Sequence, residues 1–275
     1  MNFMYFVDNF YNKSPKLRIL LMKLIYGSQD ILVNLFGLEL YINSLRENGY
    51  FRASRMVLKG SLLRDEVSIL LNISSLLRDG DTFVDVGANI GLFSSVIARA
   101  SKFTNLQGIY AFEANNETFK RLEINSKTHG FEAFNIGISN QECELMFVDG
   151  AVSHVFTTTK TASRYNINSK TTLVKCNSLD QINIKGNSII IKIDVEGQEL
   201  AVLEGARSFF EAQRVKAIYL DGFANQTAVL DFLYKYNFYL FDGRTLKETN
   251  GNIFSLLAVH EAYASPKLRN KKCEG

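Results

Sequence analysis

Two short runs set carboxylates beside glycines: Asp85-Val86-Gly87-Ala88-Asn89-Ile90-Gly91 and Lys192-Ile193-Asp194-Val195-Glu196-Gly197. A third acid, Glu113, follows the apolar stretch Ile109-Tyr110-Ala111-Phe112. A carboxylate in that place accepts paired hydrogen bonds from the 2′,3′-diol of a ribose, a device that nicotinamide enzymes share. Together these residues point to a nucleoside-cofactor site. The details do not suit a dinucleotide, because a pyrophosphate needs a three-glycine loop whose bare N–H groups wrap the anion. Here only Gly87 and Gly91 are present, Asn89 lies between them, and Asp85 leads the loop. A leading carboxylate repels phosphate and attracts a cation. S-adenosylmethionine carries a sulfonium, an ammonium group and ribose hydroxyls but no phosphate, so the loop reads as a methyl-donor site. Asp85 accepts from the ammonium group directly or through water, and Gly87 admits the cofactor's tail close to the backbone. Gly91 is expected to let the next helix pack tightly on the strand, and Asn89 is either part of the site or a cap for that helix.

Methyl transfer is an in-line displacement at a cationic methyl group, so the acceptor must be positioned and its hydroxyl proton removed. A general base contributes about 10² to 10⁴-fold. The candidates are Asp194, Glu196, Asp221 and His154, with Asp194 the first choice and Glu196 the second. Asp194 and Glu196 have a plainer reading as acids at a helix N-terminus. His154 falls in the polar segment Gly150-Ala151-Val152-Ser153-His154, as an acceptor cover or a plain surface residue. Lys192 is either a functional cation or a lysine that pairs with a carboxylate across the sheet. His129 beside Gly130 reads as a helix end, and His260 as structural.

The elements that must carry these residues alternate. The turn Gly80-Asp81 opens a strand over 82–86, and helix 90–100, strand 108–113, helix 116–128 and strand 132–138 follow. A hairpin strand is predicted near 143–148, then an irregular polar segment, Thr172–Cys176, the near-continuous run Ile189 to Asp194, and a helix near 197–211. Strand 215–220, helix 225–236 and strands near 238–242 and 253–260 complete the pattern. Such alternation predicts a mostly parallel sheet covered on both faces, finished by an antiparallel strand.

Residues 1–60 differ. Lys16 to Ile25 and Leu38 to Leu45 are read as short helices, and Lys and Arg outnumber acids here. This predicts a helical extension that packs on the main domain, on a second subunit, or on a membrane surface. A helix from Arg64 leads into the first strand, and residues 264–275 form a basic, frayed tail. The 275-residue chain is 47% hydrophobic and 21% charged, the balance of a globular protein, and its net charge of +3 gives no case for a nucleic-acid partner. Three cysteines, Cys143, Cys176 and Cys273, have no metal-type spacing, so neither a metal site nor a disulfide framework is expected. No leader or span is read from the sequence, and a cytoplasmic location is the expectation.

The ordered motifs resemble the FkbM-type S-adenosylmethionine-dependent methyltransferases. The likeness rests on Gly80 to Gly91, Ala111-Phe112-Glu113, Ser178-Leu179-Asp180, Ile191 to Gly197 and Leu203-Glu204-Gly205-Ala206, within residues 60–260. It implies a class I methyltransferase fold, a Rossmann-like three-layer sandwich with a seven-stranded sheet of six parallel strands and one antiparallel. It implies methylation of a hydroxyl on a sugar, glycan or glycolipid-type acceptor. It adds Ala88, Asn115, Ser139 and Asp194 to the cofactor contacts Asp85, Gly87, Asn89, Gly91 and Glu113. Asp221 stands where the family usually has Glu. The competing readings are an NAD-dependent oxidoreductase, against which the missing third glycine counts, and a non-catalytic cofactor-binding scaffold working through residues 1–60.

Overall fold

The computed structural model describes residues 20, 23–24, 26–55, 64–149, 154–157, 170–195 and 197–264. They fall into two compact units, one up to Arg64 and one from Asp65 onward. The first holds an antiparallel hairpin, β1 (Asp30–Leu35) and β2 (Leu38–Asn43), followed by helix α1 (Asn48–Arg55). The expected helix over Leu38 to Leu45 is therefore corrected. Val33, Leu35, Leu38, Leu40 and Ile42 are buried at alternate positions, the period of a strand. Phe36 and Gly37, both at positive φ, form the two-residue turn whose twist suits a hairpin. Asn43 then ends β2, its side-chain oxygen accepting from the N–H groups of Leu45 and Arg46.

The second unit begins with α2 (Arg64–Leu76), β3 (Asp81–Val86), α3 (Leu92–Ala100), β4 (Gly108–Phe112), α4 (Asn116–His129) and β5 (Glu132–Phe134). Four short strands follow: β6 (Gly137–Ile138), β7 (Cys143–Asp149), β8 (His154–Thr157) and β9 (Lys170–Asn177). The chain then returns through β10 (Ser188–Ile193), α5 (Glu199–Glu204), α6 (Arg207–Glu211), β11 (Val215–Asp221), α7 (Gln226–Lys235), β12 (Phe238–Asp242) and β13 (Ser255–His260).

The main sheet has the order β12-β13-β11-β10-β3-β4-β5, and only β13 runs against the rest. This is the class I methyltransferase arrangement. Its inner strands are apolar on both faces, as helices on each side require. Val84, Val86, Ile191, Ile193 and Leu220 pack with Val202, Phe210 and Leu233 from α5, α6 and α7. Phe83, Ile190 and Tyr219 face the other way, with Ile69 and Ile73 of α2 and Phe93 and Ile97 of α3. At the amino-terminal edge a buried ion pair, Lys216 Nζ to Asp81 Oδ2 at 2.6 Å, satisfies two charges that the sheet encloses.

Three further expectations are corrected. The strand over 132–138 is broken into β5 and β6, and β6 leaves the main sheet to pair with β9. The strand near 143–148 exists as β7, but its partners are β8 and β9. The single helix near 197–211 is two, because the chain bends at Gly205, where any side chain would overlap the Ser139 carbonyl, and the Gly205 carbonyl accepts from the Asp180 N–H. Asp180 in turn receives the Ser208 N–H and hydroxyl at the start of α6, so Ser178-Leu179-Asp180 is a structural element.

Candidate active site

β3, β4, β10 and β11 all end on one edge of the sheet, and the loops beyond them carry the candidate residues. Gly87, Asn89 and Gly91 each take a positive φ, so the chain coils tightly between β3 and α3. Gly87 cannot be replaced without collision, since a Cβ there would overlap the Asp194 carbonyl. Four of the loop's N–H groups, those of Gly87, Ala88, Asn89 and Gly91, are internally engaged. Those of Gly87 and Ala88 donate to the Phe112 carbonyl at 3.0 and 2.9 Å, and that of Gly91 donates to the Ala88 carbonyl at 2.8 Å. The Asn89 N–H donates to Glu113 Oε2 at 2.9 Å. Asn89 is thus not the cap of α3; Gly91 takes that position, with no side-chain cap. The tight packing expected of Gly91 is also redirected. A Cβ there would come within 2.6 Å of Leu122 and 2.9 Å of Phe131, so the glycine admits α4 and its exit rather than the strand.

Glu113, just past β4, is held from both sides. Its Oε1 accepts the Asn115 N–H at 2.8 Å, opposite the Asn89 bond to Oε2. Burial pushes its carboxyl up from 4.5 to about 7, against the pull of these two donors and of Lys192. The Asn115 side chain is occupied elsewhere, accepting from the N–H groups of Glu117 and Thr118 as the cap of α4. The Ser139 N–H donates to the Asn177 carbonyl, and the Ser139 backbone lies against Gly205.

Register explains the charges behind the loop. Asp85 on β3, Lys192 on β10 and Tyr219 on β11 are neighbours across the sheet, on the face covered by α3. Asp85 is fully buried, with Oδ1 3.0 Å from Lys192 Nζ and Oδ2 accepting the Ser94 hydroxyl at 2.7 Å. Lys192 Nζ also donates to the Gly87 carbonyl at 3.0 Å and lies 3.5 Å from Asp194 Oδ2. Lys192 is therefore the pairing lysine of the two readings, and it ties the glycine loop to the end of β10.

Asp194 has its side chain 43% exposed at that end. The protein packed around its base raises its carboxyl above the usual range, Lys192 opposes this, and Asp221 and Asp85 add to it. Asp221 is thus in electrostatic reach of Asp194, and its Oδ1 accepts the Tyr219 hydroxyl at 2.7 Å. Burial and Asp221 push the Tyr219 hydroxyl well up, which keeps it protonated as a donor. Glu196 lies outside the described residues. His154 opens β8, paired with Asp149 on the outer strand of the small sheet, so its backbone is a strand rather than the expected loop. His129 and His260 stand as read. Gly130 closes α4 in the left-handed conformation, and buried His260 accepts the Ala262 N–H through Nδ1.

Three residues that sequence reasoning passed over hold the site. Ser94 anchors Asp85, and the buried Asn125 side chain donates to the Ile90 carbonyl at 2.8 Å. Glu199 accepts the Gly197 N–H at 2.9 Å and the Ala224 N–H at 3.1 Å, fastening the turn after β10 to the loop after β11. Burial raises its carboxyl against these donors. Asn125 had a signal, a polar residue on the inner stripe of an amphipathic helix; Glu199 had only its place two residues after Gly197.

The Methyltransferase FkbM domain matches residues 85–240, more than half of the chain. The chain belongs to the FkbM methyltransferase family. The chain is 27% identical over 149 residues to the hexuronic acid methyltransferase AglP of Haloferax volcanii, covering 52% of this chain and 57% of that one. Among solved structures it is similar to an FkbM methyltransferase of Methylobacillus flagellatus, with 18% identity, TM-score 0.48, and coverage of 70% of this chain and 47% of that one. It is also similar to a ribosomal protein L11 methylase of Lactobacillus delbrueckii, with 12% identity, TM-score 0.40, and coverage of 71% and 76%. The chain thus spans little more than half the length of its curated relative. Among the described residues no helix is long and apolar enough to cross a membrane.

Proposed function

We propose that this FkbM domain binds S-adenosylmethionine and methylates a hydroxyl of a saccharide acceptor. The observation that carries the reading is the state of the glycine loop. The N–H groups of Gly87, Ala88, Asn89 and Gly91 are bonded within the protein, so they are not offered to a pyrophosphate. A phosphate-free nucleoside cofactor fits such a loop, and a nicotinamide dinucleotide does not. Glu113, fixed by two backbone donors, fits a ribose diol, and Gly87 gives the close approach that the cofactor's tail needs.

When bound, the cofactor supplies an electrophilic methyl group on a sulfonium. The chain's own residues do the rest. Lys192 neutralises Asp85 and holds the Gly87 carbonyl, so the loop keeps its shape. Asp194 accepts the hydrogen bond of the acceptor hydroxyl and takes its proton, for which a raised carboxyl is a better acceptor than a free aspartate. Asp221, steadied by Tyr219, orients the acceptor beside it. The saccharide class is supported by the hexuronic acid methyltransferase relative. A reducing, cytoplasmic setting is part of the reading.

The test is release of S-adenosylhomocysteine from S-adenosylmethionine with a panel of methyl hexopyranosides and hexuronides. Asp194→Asn should lower turnover at least tenfold while cofactor affinity changes by less. Full turnover in Asp194→Asn would move the reacting centre elsewhere on the edge.

A further inference from the structure

We propose that Phe254 is the platform on which the acceptor's pyranose ring stacks, and that it sets acceptor affinity. The proposal rests on the saccharide reading and adds to it a residue and a direction of approach. β13 runs against its neighbours, so its first residue lies at the same edge as the last residues of the parallel strands; Ser255 is the register partner of Asp221. The pairing continues one step outward, where the Gly222 N–H donates to the Phe254 carbonyl at 2.8 Å. Across the edge the order is then Glu113, Gly87, Asp194, Asp221, Phe254, at the ends of β4, β3, β10 and β11 and the start of β13 in turn. The cofactor residues occupy one side of Asp194, and Asp221 and Phe254 occupy the other. Two strand spacings, roughly 10 Å, separate β10 from β13.

Phe254 is 68% exposed, while Ile253 packs on the core and Ser255 is buried. A lone exposed apolar side chain is ordinary and needs no account by itself. Phe254 is set apart by its place and its support. Its ring lies beside Gly222, within 3.0 Å of where a Cβ would stand, so no side chain at that position displaces it. The neighbouring Asp221 carboxylate is fixed by the Tyr219 hydroxyl and lies 3.4 Å from the Ser255 hydroxyl. An aromatic face with negative π density beside fixed carboxylates matches a pyranose, whose C–H bonds pack on the ring while its hydroxyls donate to the acids. Phe103, at 93%, is more exposed still, but it follows the C-terminus of α3 at the opposite edge of the sheet. It serves as the internal control.

The chain contains no tryptophan, so Phe254→Trp introduces a single indole whose emission reports on the platform directly. The variant is titrated, with S-adenosylhomocysteine present, with the methyl hexopyranosides and hexuronides of the turnover panel. Phe254→Ala, Phe254→Tyr and Phe103→Ala are assayed on the same panel. The expected result is a saturable emission change with the sugars that are methylated. Phe254→Ala should raise acceptor KM at least tenfold with kcat and S-adenosylhomocysteine affinity within twofold. Phe254→Tyr should restore KM, and Phe103→Ala should leave it unchanged. Methylation of a saccharide with unchanged KM in Phe254→Ala overturns the platform and leaves the proposed function standing. If no saccharide is methylated and the introduced indole answers to none, the saccharide reading has failed and the platform fails with it.

Discussion

Glu113 is a buried carboxyl just past β4, held between the N–H groups of Asn89 and Asn115. Two N–H donors favour its carboxylate, yet burial outweighs them and lifts the carboxyl from 4.5 to about 7. The sign for stability follows from proton counting. Between those values the folded chain holds a proton at Glu113 that the unfolded chain has lost, so the contribution is fully present below about 4.5 and is lost as pH rises through about 7. In the proposed function cofactor binding runs the other way, because ribose hydroxyls would donate to the ionised form of Glu113. Affinity for S-adenosylhomocysteine should therefore increase as pH rises through about 7, and calorimetry on Glu113→Gln should show that rise abolished. At this scale placement was legible, since Asp85, Glu113 and Asp194 stand at the ends of β3, β4 and β10; the expected ammonium contact of Asp85 is corrected, because its buried carboxylate is taken by Lys192 and Ser94. The sequence was silent where a residue acts through a distant partner. Lys192 could be read two ways until register placed it beside Asp85, and Glu199 reaches an N–H twenty-five residues away, at Ala224.

The elements were legible wherever an apolar run met a glycine turn, which is why β3, β4, β10 and β11 lie within a residue or two of their expected bounds. The errors arose where spacing fits two periods or where contact overrides it. Leu38, Tyr41, Ile42 and Leu45 also recur at helical spacing, and only the Phe36-Gly37 turn and the partner strand decide for β2. The bend at Gly205 comes from Ser139, sixty-six positions earlier, and no local pattern reports it. The same contrast between open and crowded backbone gives a prediction for two glycines. Gly87 and Gly130 share a positive φ, but a Cβ at Gly130 meets nothing within 4 Å and one at Gly87 overlaps Asp194. In denaturant unfolding Gly130→Ala should cost about 1–2 kcal/mol from backbone strain alone. Gly87→Ala adds overpacking and should cost about 2–5 kcal/mol, with loss of cofactor binding. Equal costs would mean that the loop yields freely and that its shape is not fixed by β10.

Over the whole molecule, the class I arrangement is what puts the acids in one row. A parallel sheet ends its strands together, and the single reversed strand brings the start of β13 to that same edge. The described site residues all belong to the unit that begins at Asp65, and each bond named above for them is made within it. Removing residues 1–60 should accordingly leave S-adenosylhomocysteine affinity within about twofold of the full chain, as for a unit with its own core. A truncated protein that remains folded and monodisperse but no longer binds would show that the first unit contributes to the cofactor site.

In the proposed function the glycine loop, with the N–H groups of Gly87, Ala88, Asn89 and Gly91 bonded within the protein beside a fixed Glu113, selects a phosphate-free nucleoside cofactor. Isothermal titration of the intact chain with S-adenosylmethionine and with NAD tests it most directly. The account predicts saturable one-site binding of S-adenosylmethionine, no saturable binding of NAD, and at least tenfold weaker S-adenosylmethionine binding by Glu113→Ala, since a charged hydrogen bond is worth about 1.5–3 kcal/mol. Saturable binding of NAD without S-adenosylmethionine, or unchanged S-adenosylmethionine affinity in Glu113→Ala, would contradict it.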